Sequence, residues 1–274
     1  MNANIAGLIV TFNPDIKILN TVVKRLREQV SIVMLVDNNS DNISSVLEIA
    51  SGYGTRVIRN DKNFGLPGGL NEGVSELTSD ESLKWILVLD QDSIPDQNYV
   101  SNLISAFEDL DQDNVWAIRG VEKYAGKAHR RDEKWKMKYI RGSIMSGSLI
   151  KTEALKAISF REDFFMDFVD TDFYFELRKR GHSIVSFNGI FLNHALGGTI
   201  DLKGRKTTYH KSSRLYYIAR NGMILILEGK FDRKLPWILF VSLLPTMYVE
   251  GVKKTLYHYL KGIKDGFIFR INEN

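Results

Sequence analysis

Asp90 and Asp92 stand one residue apart at the end of an unbroken apolar run, Trp85-Ile86-Leu87-Val88-Leu89. A carboxylate pair of this kind offers hard-oxygen ligands to a divalent cation that carries a phosphate. The competing reading is a polar turn in which Asp92-Ser93 or Asp96 caps the next helix. A second acidic group, from Arg161 to Phe173, sets Asp163, Asp167, Asp170 and Asp172 among Phe164, Phe165, Phe168 and Val169. Asp170 falls where a helical pattern begins. It reads either as a helix cap or as a general base placed among apolar neighbours. His194 is isolated, and an isolated His is more often structural than a ligand. Arg220, next to Asn221 on a tyrosine-rich apolar segment, wants an anion, either a carboxylate or a phosphate.

These residues need elements to hold them. A run as apolar as Trp85 to Leu89 suits a strand buried on both faces of a parallel sheet. Strand alternation would put Asp90 and Asp92 on one side and Gln91 on the other. Ile5 to Phe12, Ile32 to Val36 and Arg56 to Arg59 read as three earlier strands. Between them lie helical patterns at Ile16 to Leu26, Val46 to Ala50 and Leu70 to Leu77. This β-α-β-α-β-α-β order predicts a parallel sheet with right-handed crossovers. Thr11/Asn13, Asp37/Asn39 and Asp90/Asp92 would then line one crevice at the strand ends, where an acid can bond a ribose or base edge. No GxGxxG follows the first strand, which argues against a Rossmann NAD site. Asn60 to Gly69 reads as a turn, in which Gly65, Gly68 and Gly69 either let the backbone approach a ligand closely or supply positive φ. Further on, a helix starts at Pro95-Asp96 and strands cover Val115 to Val121 and Ile144 to Ile150. A helix from Thr171 to Arg180, short strands at Ile184 to Phe187 and Ile190 to Leu192, and a helix from Ser213 to Leu227 follow. Lys127 to Lys138 and Lys203 to Lys211 read as exposed basic stretches.

Composition narrows the class. The 274 residues are 44% hydrophobic and 26% charged, with a net charge of +4 and a pI of about 9.0. That is an ordinary globular balance without the long Lys/Arg blocks of a nucleic-acid arm, so no nucleic-acid partner is expected. Absence of cysteine excludes disulfides and thiolate metal sites. No basic n-region precedes a long apolar stretch, and no run reaches the ~20 apolar residues of a span. A cytoplasmic protein is expected. The segment from Leu235 to Phe269 alternates apolar and basic residues, which suits an interfacial helix on the inner face of a membrane. The alternative is a helix pair packed on the domain or on a second subunit, as in a homodimer.

Val10-Thr11-Phe12-Asn13-Pro14, Val36-Asp37-Asn38-Asn39-Ser40, Asn63-Phe64-Gly65, Leu89-Asp90-Gln91-Asp92-Ser93, Val169-Asp170-Thr171-Asp172, His194 and Arg220-Asn221 occur in this order. The ordered set resembles the family-2 inverting glycosyltransferases, and Asp90-Gln91-Asp92-Ser93 with Phe168-Val169-Asp170-Thr171-Asp172-Phe173 looks most like their bacterial rhamnosyltransferase group. The resemblance covers Ile5 to Leu227. It implies an α/β GT-A fold, a Rossmann-like mixed, mainly parallel sheet flanked by helices with a C-terminal helical extension. It implies a glycosyltransferase domain over residues 1–229, with a nucleotide-sugar half to about residue 95 and an acceptor half from about 96, followed by a tail over 230–274. Thr11, Asn13, Asp37, Asn39, Asn63 and Gly65 would hold the nucleotide of a sugar donor, with Asp90 serving its ribose or the metal. Asp90, Asp92 and His194 would match ligands of Mg²⁺ or Mn²⁺, with Arg220 on the diphosphate. Asp170 would match the catalytic base, with Asp172 the other carboxylate of the segment; Val169 stands where many members carry Glu. The implied reaction moves a sugar, L-rhamnose from dTDP-L-rhamnose, onto a saccharide or lipid-linked acceptor of a bacterial surface polysaccharide such as O-antigen. UDP-galactofuranose is the rival donor. A non-catalytic nucleotide-sugar-binding scaffold would have no use for a base.

Overall fold

The computed structural model describes residues 2–110, 114–123, 135–194, 199–202, 205–230 and 239–272. The chain divides into two compact units, Met1–Glu162 with Phe173–Ala195, and Asp163–Asp172 with Leu196–Asn274.

The first unit is built on a nine-stranded sheet. β1 (Asn2–Thr11), α1 (Ile16–Arg27), β2 (Val30–Asp37), α2 (Ile43–Tyr53), β3 (Arg56–Arg59), α3 (Gly65–Leu77) and β4 (Trp85–Asp90) alternate as the apolar periodicity predicts. β3, β2, β1 and β4 lie side by side in that order, all parallel. The chain therefore winds outward from β1 in one direction, then returns to place β4 on the other side. That reversal is a topological switch point, and open α/β sheets bind ligands outside the strand carboxyl ends there. The remainder of the sheet is β8 (Ser148–Lys151), β6 (Val115–Lys123), β9 (Ser183–His194), β5 (Ser93–Pro95) and β7 (Lys136–Ile140). β8 runs antiparallel to β4, which makes the sheet mixed. α4 (Tyr99–Glu108) and α5 (Thr152–Ala157) complete this part.

Alternation along β1 sorts the two faces. Ile5 and Ile9 enter the core with Leu19, Val22, Val23 and Leu26 of α1, all four fully buried. Truncating one of these leucines to Ala removes about 2–5 kcal/mol. Asp15 caps α1 by accepting from the Lys17 and Ile18 amides. On the opposite face α3 closes on Leu8, Val10 and Val36 through Gly69 and Gly73. A Cβ at Gly73 would come within 2.3 Å of Leu8, and one at Gly69 within 2.7 Å of Val10. The turn expected over residues 60–69 thus gives way to helix from Gly65. Pro67 sits in the first turn of α3, where its missing N–H costs nothing. Only Gly65 there needs positive φ, at 75°.

Other elements differ from the sequence reading. Ser93–Pro95 pairs with the end of β9 instead of opening a helix, and α4 starts at Tyr99; Pro95 is tolerated because β5 is an edge strand. β9 is one strand, not two. Gly189, at φ 101°, keeps it continuous through a register shift against β6, and Gly120 lets the Ile190 carbonyl come close. Of the Lys127 to Lys138 stretch, residues 127–134 lie outside the described residues, and Lys136 to Lys138, exposed as expected, begin β7.

The second unit holds the loop Asp163–Phe168, the first turn of α6 (Val169–Lys179), a hairpin of β10 (Thr199–Leu202) and β11 (Arg205–Thr208), and, among the described residues, the helices α7 (Ser212–Leu227), α8 (Leu243–Glu250) and α9 (Val252–Asn272). α9 lies against α7 through Gly262 and Gly266. A Cβ at those positions would come within 2.4 Å of the Tyr216 carbonyl oxygen and 2.5 Å of that of Arg220. The tail is in this respect a helix packed on protein.

Candidate active site

At the switch point the ends of β1 and β2 are tied together. Asp37 is 1% exposed and accepts three hydrogen bonds. The Thr11 hydroxyl donates at 2.8 Å, the Ser40 hydroxyl at 2.6 Å and the Ser40 amide at 2.8 Å. Thr11 is fully buried and its one hydroxyl proton is spent on Asp37. Thr11 therefore acts on its surroundings through Asp37. Asn13 and Asn39 are exposed and adopt the left-handed region that Asn tolerates, with φ of 46° and 64°. Asn13 exchanges bonds with Asp41, donating through Nδ2 at 3.2 Å and accepting from the Asp41 amide at 2.8 Å. Asn38 and Asn60, both buried, carry the linkage onward: Asn60 Nδ2 donates to Asn38 Oδ1, and Asn38 Nδ2 to the Gly65 carbonyl. Asn63 Oδ1 accepts from the Gly65 amide and shapes the start of α3. Phe12 and Phe64 stay 47% and 39% exposed at this end, with Lys62 Nζ 4.8 Å from the Phe64 ring centre.

β4 ends at Asp90, and Gln91-Asp92 form a turn, so strand alternation stops before Asp92. Gln91 does not simply point away. Its Oε1 accepts from the Phe12 amide at 2.9 Å, and its Nε2 donates to the Phe12 carbonyl at 3.3 Å. The middle residue of the acidic triplet thereby locks the turn to the end of β1. Behind it, the Asp90 amide donates to Ser146 Oγ. The loop bearing Ser146 is braced by Arg119, which is 1% exposed, donates to the carbonyls of Ile144 and Ser146, and pairs with Glu122. Asp90 and Asp92 themselves are half-buried. Their neighbour Ser93 pairs with His194 across β5 and β9, which brings the His194 backbone to the acidic turn. The His194 side chain lies outside the described residues. Among the described residues no three carboxylate or imidazole groups gather into a metal cage. Two partly exposed carboxylates on a braced turn still fit Mg²⁺ or Mn²⁺, because such ions are commonly held by one or two carboxylates and completed by substrate phosphate and water.

In the second unit, Asp170 follows a strained loop. Phe165, Asp167 and Phe168 have φ of 57°, 59° and 63°. Left-handed backbone costs a residue with a Cβ roughly 1–2 kcal/mol. Asn221, fully buried on α7, holds the loop: its Nδ2 donates to the carbonyls of Phe164 at 2.9 Å, Met166 at 2.7 Å and Asp167 at 3.1 Å. Arg214 grips the Asp167 carboxylate at both oxygens. Arg220 Nη1 donates to the Asp163 carbonyl and to Asn221 Oδ1, each at 2.8 Å, and its guanidinium lies 4.9 Å from the Phe269 ring centre. The acceptors of these two bonds are neutral carbonyl oxygens, not a carboxylate.

The two carboxylates at the start of α6 differ. Asp170 is half-buried and accepts from the Thr171 amide at 2.7 Å. Asp172 is 3% exposed and bonds Lys230 Nζ at 2.9 Å. Gln91, Asn38, Asn60, Arg119 and Lys230 had no role in the sequence reading. Each acts on a residue that is distant along the chain, so no local pattern marks it. Asn221 was visible there only as a companion of Arg220.

The profile described as "Glycosyl transferase family 2" matches residues 8–168, from β1 through the Asp90-Gln91-Asp92 turn to the strained loop. A dTDP-rhamnosyl transferase, RfbF of Shigella flexneri, is 25% identical over 282 residues, covering 95% of this chain and 93% of that protein. Among solved structures, S. aureus TarS 1-349 in complex with UDP-GlcNAc has a TM-score of 0.56 at 13% identity, covering 96% of this chain and 80% of that one. A second structure of S. aureus TarS 1-349 gives 0.51 at 14% identity, covering 95% and 81%. At such identity these two likenesses speak for the fold, which is GT-A. With the family profile spanning more than half of the chain, the protein belongs to glycosyl transferase family 2 and is a glycosyltransferase.

Proposed function

We propose that the chain is a metal-dependent inverting rhamnosyltransferase, using dTDP-L-rhamnose and a saccharide or lipid-linked acceptor of a bacterial surface polysaccharide. The donor rests on the likeness to the Shigella rhamnosyl transferase. The catalytic part rests on one observation above the others: a loop with three left-handed residues, clamped by Asn221, leads into Asp170 and leaves it half-exposed, while Asp172 is paired with Lys230. Backbone strain of this kind gathers at functional sites.

On this reading Asp37, Asn39 and the Asn63/Gly65 segment receive the nucleotide, with Phe12 and Phe64 as apolar surfaces beside it. Thr11 and Asn13 set the shape of that receptor. Asp90, Asp92 and His194 would hold Mg²⁺ or Mn²⁺, whose chemistry is to neutralise the departing diphosphate. Arg220 adds positive charge for the same group. Asp170 takes the proton of an acceptor hydroxyl as that oxygen bonds the anomeric carbon. The anomeric C–O bond to the diphosphate breaks in the same displacement, so configuration inverts and dTDP leaves. A soluble nucleotide-sugar donor puts the reaction in the cytoplasm.

The test is nucleoside diphosphate release from a panel of nucleotide-sugars, UDP-galactofuranose included, with Mg²⁺ or Mn²⁺ and acceptor extract. Turnover is expected with dTDP-L-rhamnose. Asp170→Asn should bind donor and lose transfer by about 10²–10⁴-fold, whereas Asp172→Asn should act mainly on stability. Loss of transfer confined to the Asp172 variant would assign the base to Asp172. Turnover with no donor at all would remove the enzymatic reading.

A further inference from the structure

α8 and α9 have a second face. Eleven of the sixteen large hydrophobic residues that are exposed among the described residues lie between Phe240 and Ile271. On α9 the side opposite Gly262 and Gly266 carries Tyr257, Leu260, Phe267 and Ile271, each at least 50% exposed. Lys253, Lys261 and Lys264 are exposed on the same helix. On α8, Leu244 and Tyr248 are 58% and 73% exposed, one helical turn apart. An apolar surface of this extent marks an interaction site.

Charge identifies the partner. The described acids of these two helices are turned to the protein. Glu250 accepts from the Ser212 amide and hydroxyl and pairs with Lys254, and Asp265 accepts from the Tyr216 hydroxyl. What remains outward is apolar and cationic. A second copy of the chain, related by a two-fold axis, would bring these lysines toward their own mates with no described acid to meet them. A lipid surface with anionic headgroups meets both halves of the pattern. Apolar side chains enter the headgroup–acyl boundary and lysines extend to the phosphates. No helix among the described residues is long and apolar enough to cross a membrane. α9, with 21 residues, would instead lie in the surface for about 30 Å.

We infer that the outer face of α8 and α9 docks this chain on an anionic bilayer surface. This does not depend on the donor or on the base. The full chain is sedimented with vesicles of phosphatidylcholine alone and of phosphatidylcholine with phosphatidylglycerol. Binding is expected only to the anionic vesicles and should weaken as salt rises. At about fivefold per lysine, the triple variant Lys253→Gln/Lys261→Gln/Lys264→Gln should partition on the order of a hundredfold more weakly. Leu244→Gln/Tyr248→Gln/Phe267→Gln should abolish binding to the anionic vesicles. All six positions are exposed, and circular dichroism verifies that the variants remain folded. Failure of the parent chain to bind anionic vesicles overturns the inference. So does binding that ignores the lysines, or a dimer in lipid-free solution that the apolar triple variant dissociates.

Discussion

Asn221 carries no charge, yet it decides the shape of the segment before Asp170. A side-chain amide has two N–H donors, and here they serve three backbone carbonyls of the strained loop. Asn221→Asp replaces those donors with oxygen and sets it against the same carbonyls. Stranding buried acceptors costs about 1–3 kcal/mol, and the loop then relaxes from its left-handed conformation. The expected outcome is a lower melting temperature and a kcat reduced at least tenfold, with the KM for the donor nearly unchanged. Steady-state kinetics with varied donor separates the two. A raised donor KM at intact kcat would make Asn221 part of donor binding instead. Arg220, its neighbour, braces the same loop at Asp163, so phosphate binding is not its only work.

At the scale of elements, the contact between the start of α7 and the end of α8 is electrostatic. Glu250 accepts from Ser212 at the N-terminus of α7, where the unpaired amides and helix dipole favour a carboxylate, and from Lys254 on α9. The Ser212 bonds, then Lys254, draw its pKa from 4.5 down to about 2. A depressed carboxylate pKa adds stability that is complete above the unfolded value and is lost as pH falls through the folded one. Glu250→Gln should therefore melt below the parent protein at neutral pH. The gap should close as pH drops from 4.5 toward 2. Thermal melts followed by circular dichroism over that range decide it; a gap that stays constant would show that the charge is immaterial. The α7–α9 pair adds a steric link of the same importance. Gly262 and Gly266 bring α9 onto the backbone of Tyr216 and Arg220, so the C-terminal helix supports the helix that holds the Asp170 loop.

For the whole molecule, ligand binding and stability are one equilibrium. A nucleotide that binds the folded chain raises its stability by about 2.7 kcal/mol at a hundred times Kd. If a divalent ion joins Asp90 and Asp92 to the diphosphate, dTDP should raise the melting temperature with Mg²⁺ or Mn²⁺ present and much less with EDTA. Asp92→Asn should remove the metal-dependent part and leave the remainder. Equal stabilisation by dTDP with and without metal would show that the acidic turn does not bind nucleotide through an ion.

Sequence alone determined the elements whose information is local. Period-2 and period-3.6 apolar patterns marked β1 to β4 and the helices between them, and short loops required them to be parallel. The ordered motifs placed Asp37, Asp90 and Asp92 at strand ends, because strand ends are where apolar runs stop. Local signals erred where backbone pairing overruled them. Ser93–Pro95 became an edge strand because β9 was there to pair with it, and Gly65 to Gly69 became the start of a helix whose Gly69 and Gly73 pack closely on Val10 and Leu8. Tertiary structure alone decided which polar groups are spent on one another. Thr11 is committed to Asp37, Gln91 to Phe12, Asn221 to the strained loop and Asp172 to Lys230. Hydrogen bonds act over about 3 Å, while these partners lie 26 to 79 residues apart in the chain. Folding supplies that proximity, and with it the difference between two neighbouring carboxylates, Asp170 and Asp172, that look alike in the sequence.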